Sequence, residues 1–302
     1  MRKVLVTGGN GYIGSVLVQH LSRSGMEVHA LANRNRQRLD EILPPQNVHL
    51  LGDDYPAIEA LVVQLAPDAI FHLAGIHTEP TSMAAAAEMI QSNLTTGTAL
   101  LRGAALCKTP PVLVNTGSYW QFSEEATFAP NTFYAATKQA FMDLMRFFEK
   151  FKRIRSTTLV LFDTFGLDDP RPKLWTKILH APHGANIDLS EGRQFIELVH
   201  VDDVTAAFQR AAELLEAGEA LERAYAVRSE RKITLKKLIE SFNAHAGTEL
   251  HLHWGAITYW DGQIFEPWQG PLLPGWHAKV CIDTTVADYL RERDSSIVEG
   301  KV

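Results

Sequence analysis

The sequence predicts an α/β protein: a doubly wound, mostly parallel sheet that carries a smaller C-terminal lobe. Three observations lead there. Short apolar runs alternate with amphipathic segments as far as Gly166 in the 302-residue chain. Those runs are continuous rather than alternating, as strands covered on both faces must be. Beyond Gly166 the alternation gives way to polar and Trp-, Gly- and Pro-rich stretches.

Taken in order, "KVLVTG" is a strand, "YIGSVLVQHLSRSG" a helix closed by Gly25, and "EVHALAN" a second strand. One strand–helix–strand unit thus fits within about 30 residues. "NVHLLG" is a strand, "AIEALVVQL" a helix, "DAIFHLAG" a strand and "SMAAAAEMIQSNLTTGTALLRGAALC" one long helix. "PVLVNTG", "TFYAATKQAFMDLMRFFEKF" and "RSTTLVLFDTFG" then read as strand, helix and strand. Right-handed crossovers between parallel strands make this a doubly wound sheet. Residues 1–166 are expected to form the sheet domain and 167–302 mostly the lobe, with 194–226 returning to the sheet through "VHVDDVTAAFQRAAELLEAG". The lobe should cover the carboxyl ends of the strands, where such sheets bind ligands.

Composition excludes several classes. Apolar content of 46% with 21% charged residues describes an ordinary globular chain. A net charge of −6 gives no support to nucleic-acid binding, and no nucleic-acid partner is expected. Cys107 and Cys281 lie too far apart to suggest a disulfide framework or zinc site, and the 12 histidines show no ligand spacing, so no metal is expected. No apolar stretch reaches the roughly 20 residues of a membrane span. "MRKVLVTGG" runs straight into a core strand and leaves no room for a signal peptide, so a cytoplasmic location is expected.

"VTGGNGYIGSVL" sets Gly8, Gly11 and Gly14 three apart between the first strand and first helix. Glycines there permit a tight turn, close approach of backbone to a pyrophosphate, and close packing of helix on strand. The helix end adds unpaired N–H groups and a positive dipole for phosphates. The expected ligand is a dinucleotide, which makes the sheet a Rossmann-type one. Which dinucleotide depends on the end of the second strand, where an acid favours NAD and an arginine tolerates a 2′-phosphate. Here Asn33 and Arg34 stand in "ALANRNRQR", with no carboxylate before Asp40. NADP(H) is preferred, NAD(H) remaining possible. Asp53, in "LLGDD", is placed to reach the adenine or to cap the next helix.

"FYAATK" sets Tyr134 and Lys138 on one face of a helix. Bringing a tyrosine from a pKa of about 10 to about 7 takes about 4 kcal/mol. A cation about 4 Å away in a partly shielded site supplies that order of energy. "VNTGSYW", at a strand end, offers Thr116 and Ser118 as hydroxyl donors.

These residues, with Thr7 to Gly14 (including Asn10, Tyr12 and Ile13), "HLAG" at 72–75, Asn93 and "VHVDDV" at 199–204, resemble the extended short-chain dehydrogenase/reductases. The resemblance implies Tyr134 as acid/base, Lys138 as its cationic partner and ligand of the nicotinamide ribose, and Ser118 on the reacting sugar oxygen. It implies Leu73, Ala74 and Gly75, with Phe162, along the cofactor groove, a nucleotide-sugar substrate, and a homodimer joined through the long helix from about Ser82 and the Tyr134 helix.

Departures from the family narrow the reaction. Sugar 4,6-dehydratases of the family carry Asp-Glu after the Ser/Thr; this chain has Tyr119 and Trp120. Asp163 stands where the family sets an asparagine against substrate, and a carboxylate there repels a diphosphate. "LFDTFGLDDPRPKL", "EGRQFIELVHVDD" and "GPLLPGW" look most like the CDP-abequose/paratose synthase group of nucleotide-sugar 4-ketoreductases. That likeness implies NADPH-dependent reduction of a 4-keto-6-deoxyhexose, with Tyr119 and Asp163 at the substrate, Lys173 and Arg193 on its diphosphate, and Trp268 or Trp276 packed on base or sugar. A 4-epimerase with tightly held NAD is the alternative, and a non-enzymatic NADP-sensing regulator is a third reading.

Overall fold

The computed structural model describes residues 1–33, 35–123, 127–166, 168–246 and 249–282. β1 (Lys3–Thr7), α1 (Tyr12–Arg23) and β2 (Glu27–Ala32) form the first unit, followed by α2 (Gln37–Asp40), β3 (Val48–Leu50), α3 (Tyr55–Leu65) and β4 (Ala69–His72). α4 (Met83–Ile90) and α5 (Thr96–Leu106) lead to β5 (Val112–Ser118), α6 (Phe133–Lys152) and β6 (Ser156–Leu161). β7 (Asp163–Phe165), α7 (Leu174–Leu179), β8 (Asn186–Leu189), β9 (Phe195–Ile196) and β10 (Leu198–His200) precede α8 (Val201–Glu216). β11 (Ala224–Val227), β12 (Ile233–Thr234), α9 (Leu235–Ala246) and β13 (His251–Trp254) complete the order.

Seven strands make one sheet in the order β11-β6-β5-β4-β1-β2-β3, and every pairing in it is parallel. Strand order reverses between β1 and β4, the point at which doubly wound sheets open a crevice at their carboxyl ends. One face buries Leu17, Val18 and Leu21 of α1 and Phe208 of α8. The other buries Leu61 of α3, Leu100 of α5 and Phe141 and Met145 of α6. A third cluster, including Phe165, Leu189, Ile239 and Phe242, is the core of the lobe. There β8 pairs with β13 and β9 with β12.

Two elements depart from the sequence reading. The long helix from Ser82 is interrupted by a π-helical turn, Gln91–Thr95. Asn93 in that turn bonds to another part of the fold: its Oδ1 accepts the Ile76 N–H at 2.7 Å, and its Nδ2 donates to the Ile76 carbonyl at 3.0 Å and to Thr137 Oγ1 at 2.9 Å. Such bulges commonly mark functional sites. The run "RSTTLVLFDTFG" also divides: β6 stays in the sheet while β7 leaves it to pair with β10. The break turns Phe162 and Asp163 toward the carboxyl-end crevice.

Candidate active site

The glycine turn is built so that no larger residue fits it. Gly8 has φ +70°, and a Cβ there would lie 2.7 Å from the Ala74 nitrogen; one on Gly14 would lie 2.1 Å from the Gly8 carbonyl oxygen. α1 starts after Gly11 with no side-chain cap and no acid in its first turn. Its first N–H groups are therefore left for an outside acceptor. Over this turn lies a groove of about 300 Å³ that brings together Gly8, Gly11, Asn33, Leu73, Ala74 and Gly75.

Asn10 serves the turn from behind, its Oδ1 accepting the Arg38 N–H at 3.1 Å. Tyr12 sends its side chain away from the groove, under the Arg171 guanidinium (4.9 Å to the ring centre). Burial, with Asp169 nearby, holds its hydroxyl above the usual range. Tyr12 can therefore offer the groove its backbone alone. Asp53 is exposed and outside the groove wall. Asp54 takes the capping role, accepting the Ala57 N–H at 3.0 Å. Arg34 lies outside the described residues.

A second compartment, about 550 Å³, adjoins the first along Leu73 and Gly75 and is lined by Ile13, Thr116, Ser118, Tyr134, Lys138 and Phe162 among others. α6 begins at its Thr132 cap, which accepts the Ala135 N–H at 3.1 Å, so Tyr134 and Lys138 sit in its first two turns, at the crevice. The Ser118 Oγ accepts the Trp120 N–H at 3.3 Å; its own proton remains available to an oxygen in the cavity. Buried Gln121, which the sequence reading passed over, fastens the pieces together. Its Oε1 accepts the Ser118 N–H at 2.9 Å, and its Nε2 donates to Gln139 Oε1 of α6 at 3.2 Å.

Burial governs the protonation states here. It pushes the Tyr134 hydroxyl up to about 12 and the Lys138 ammonium down to about 8. The expectation that Lys138 lowers Tyr134 therefore fails in the free protein. The ammonium lies 5.9 Å from the Tyr134 ring centre, and desolvation outweighs its attraction at that range. His72, fully buried, is held neutral at about 3, first by burial and then by Lys138. Thr7 Oγ1 accepts the Ala74 N–H at 3.1 Å and shares a hydrogen bond with His72 Nδ1, 2.8 Å away.

The far wall gathers Tyr119, Asp163 and Lys173 as expected, and adds Trp120, His77 and Arg171. Tyr119 donates to Asp163 Oδ2 at 3.3 Å, and Lys173 Nζ lies 3.7 Å from Asp163 Oδ1. The carboxylate is thus neutralised rather than presented bare to a phosphate. Burial pulls the Lys173 ammonium down, against the upward pull of Asp163. The basic residues of "DDPRPKL" were the available signal for Arg171.

Three expected substrate residues stand elsewhere. Arg193 is 68% exposed and paired with Glu191 at 2.6 Å, beside Tyr259 rather than the cavity. Trp268 stacks face to face on Phe122, with centroids 3.7 Å apart and planes at 6°. Trp276 is buried and donates its indole N–H to the Asp203 carbonyl at 2.9 Å. Both tryptophans bury large apolar surface more favourably in the core than on a ligand.

The profile of the NAD dependent epimerase/dehydratase family matches residues 4–258. The chain belongs to that family. It is 28% identical over 208 residues, 68% of this chain and 71% of the relative, to the CDP-abequose synthase of Yersinia pseudotuberculosis. Its fold superposes with a TM-score of 0.78 on UDP-glucose 4-epimerase of Thermotoga maritima, solved with UDP-glucose, at 17% identity and 98% and 99% coverage of the two chains. The dTDP-glucose 4,6-dehydratase of Streptomyces venezuelae, solved with NAD bound, gives 0.77 at 20% identity and 97% and 98% coverage. Like the family as a whole, this member has room for a dinucleotide. Added Cβ atoms on Gly8 and Gly14 would collide with backbone, the first turn of α1 is uncapped, and buried Thr116 Oγ1 has no partner among the described residues.

Proposed function

We propose that the protein is an NADPH-dependent reductase of a nucleotide-linked 4-keto-6-deoxyhexose, acting at C4. The observation that carries this reading is that Ser118, Tyr134 and Lys138 line one cavity continuous with the groove over the glycine turn. The α1 N–H groups of Tyr12, Ile13 and Gly14, with Gly8 and Gly11, would hold the diphosphate, and Asn33 and Arg34 the adenosine end. Leu73, Ala74, Gly75, Thr116 and Phe162 would flank the nicotinamide, and Lys138 its ribose. Bound there, the cofactor supplies hydride.

The protein's own part is to bind and protonate the ketone. Ser118 donates to the C4 oxygen. Tyr134, neutral at ordinary pH because burial raises it, delivers the proton to the same oxygen, and the Lys138 charge stabilises that oxygen as it becomes negative. A tyrosine held protonated is in the form a reduction requires. Dehydration would need an acid/base pair where Tyr119 and Trp120 stand. NADPH over NADH is supported by Asn33 in the groove wall, with Asp40 beyond it already paired to Arg36 at 2.5 Å.

The test follows NADPH absorbance after addition of CDP-4-keto-6-deoxyglucose. Stoichiometric consumption is expected, and Tyr134→Phe should slow it by about 10²–10⁴-fold. No consumption, in a protein isolated with NAD already bound, would replace this reading with a 4-epimerase. We also propose a homodimer. Leu106 of α5 and Phe147 and Phe151 of α6 are 63%, 50% and 62% exposed, and sedimentation should show twice the mass of one chain.

A further inference from the structure

The reduction employs the polar groups of the cavity and Phe162 but leaves Tyr119 and Trp120 without a role. Trp120 stands edge-on to Tyr134, with ring centroids 6.4 Å apart and planes at 83°. Its position is fixed from several directions. Its N–H donates to Ser118 Oγ at 3.3 Å, and its carbonyl accepts the Asn131 N–H at 3.2 Å. Trp260 of the lobe packs against it, 6.3 Å between centroids. Asn131 holds that lobe segment through the Gly262 carbonyl at 2.8 Å.

Neighbouring Tyr119 lies stacked on Phe162, 5.1 Å apart at 22°. Its hydroxyl is engaged by Asp163, and the Trp120 ring stands edge-on to its own, 6.4 Å between centroids at 76°. Trp120, Tyr119 and Phe162 therefore present mainly ring surface to the cavity, with the Tyr119 hydroxyl already taken by Asp163. Whatever carbon is presented to the Tyr134 hydroxyl has a ring neighbour against this wall. A hydroxyl-bearing neighbour would lose its water and gain no partner, a costly exchange. A neighbour carrying a methyl would bury it at a gain.

We infer that Trp120 is a specificity-determining residue that selects a methyl over a hydroxymethyl group beside the reacting carbon. The substrate class is therefore the nucleotide-linked 6-deoxyhexuloses, and their 6-hydroxy counterparts are rejected. This rests on the reductase reading, with C5 and its C6 methyl lying along the aromatic wall while the hydroxylated C3 faces the polar side.

Two measurements test it. Steady-state kinetics compares CDP-4-keto-6-deoxyglucose with CDP-4-ketoglucose for the wild type, Trp120→Phe and Trp120→Gln. The wild type should favour the deoxy substrate by about 100-fold in kcat/KM, the discrimination an apolar pocket shows against an added hydroxyl. Trp120→Phe should keep most of that preference, and Trp120→Gln, which supplies a partner for the hydroxyl, should bring it below about tenfold. Calorimetry with the unreactive pair CDP-6-deoxyglucose and CDP-glucose, repeated with the dTDP pair, reads the wild-type preference without turnover.

Equal wild-type constants within both pairs, or a preference unmoved in Trp120→Gln, would overturn the assignment even if NADPH were consumed. A calorimetric preference without NADPH consumption would instead sink the reductase reading and leave the aromatic wall as the binding determinant. Failure to bind either pair would sink both. If Trp120→Gln does not fold, Trp120→His, which keeps a ring and supplies a polar partner, takes its place: the preference should narrow there, and an unmoved preference overturns the assignment.

Discussion

The two compartments of the site meet at Leu73 and Gly75 yet are made of different material. The groove over the glycine turn is walled by backbone, small residues and the aliphatic side chains of Leu31, Ile58, Leu73 and Ile76, without aromatic or charged groups. The cavity beside it is walled by large side chains from the 118–121 turn, α6, the 161–164 stretch and the 171–174 loop. In the first, function depends on what is absent, namely Cβ atoms. In the second, it depends on which side chains meet. The two should fail differently when mutated.

The largest effect is expected in the groove. Gly14→Val puts a Cβ 2.1 Å from the Gly8 carbonyl oxygen, with backbone on both sides of the clash. It should cost at least about 3 kcal/mol and abolish dinucleotide binding. Denaturant unfolding and a cofactor titration would check both. A variant that keeps wild-type stability and affinity would mean that the turn tolerates side chains, and the contrast between compartments would collapse.

In the cavity, chemistry and stability should instead oppose each other. Lys138 is 3% exposed, and burial takes it from 10.5 to about 8. A lysine depressed in the folded state destabilises the fold fully below its folded pKa, and the penalty fades as pH rises from about 8 toward the unfolded value. At pH 7 that penalty is about 3 kcal/mol. Lys138→Met should therefore raise the melting temperature of the ligand-free protein at pH 7 while lowering turnover. The stability gain should shrink between pH 8 and pH 9.5. A gain that stays constant across that window would mean that packing, not charge, is responsible.

The same contrast explains how much could be read from the sequence. The strand–turn–helix context made the groove legible because backbone geometry requires glycine at fixed spacing. Tyr134 and Lys138 were legible because four residues make one helical turn. The π-turn was not, since "QSNLTTGT" carries an ordinary helical pattern and its distortion follows from Asn93 reaching Ile76 and Thr137. Gln121 and Trp120 were passed over for the same reason: their partners lie in α6 and the lobe.

Trp276 shows the opposite error. The family likeness of its loop implied a ligand platform, and the Asp203 carbonyl made it core. Trp276→Phe removes that bond while the Asp203 carbonyl keeps its intrahelical partner in α8, costing about 1 kcal/mol. The KM for the nucleotide-sugar should stay within about twofold, because a residue that does not touch substrate contributes no uniform binding to lose. A KM that rises severalfold at unchanged stability would return this residue to the site.

The smallest effect isolates the two cations once given the same role. Arg193 is 68% exposed and its partner Glu191 55%, so the pair is worth at most about 1 kcal/mol. Arg193→Ala should leave both stability and KM nearly unchanged. Lys173 lines the cavity, 32% exposed and 3.7 Å from Asp163. Lys173→Ala should raise KM by about tenfold, the loss of one charge-assisted contact. It should also flatten the dependence of KM on salt, since the cavity loses a cation facing an anionic substrate. Equal KM effects from the two alanines would mean that the anion is steered by the protein's field rather than held by a contact, and the wall built around Asp163 would then have no part in binding it.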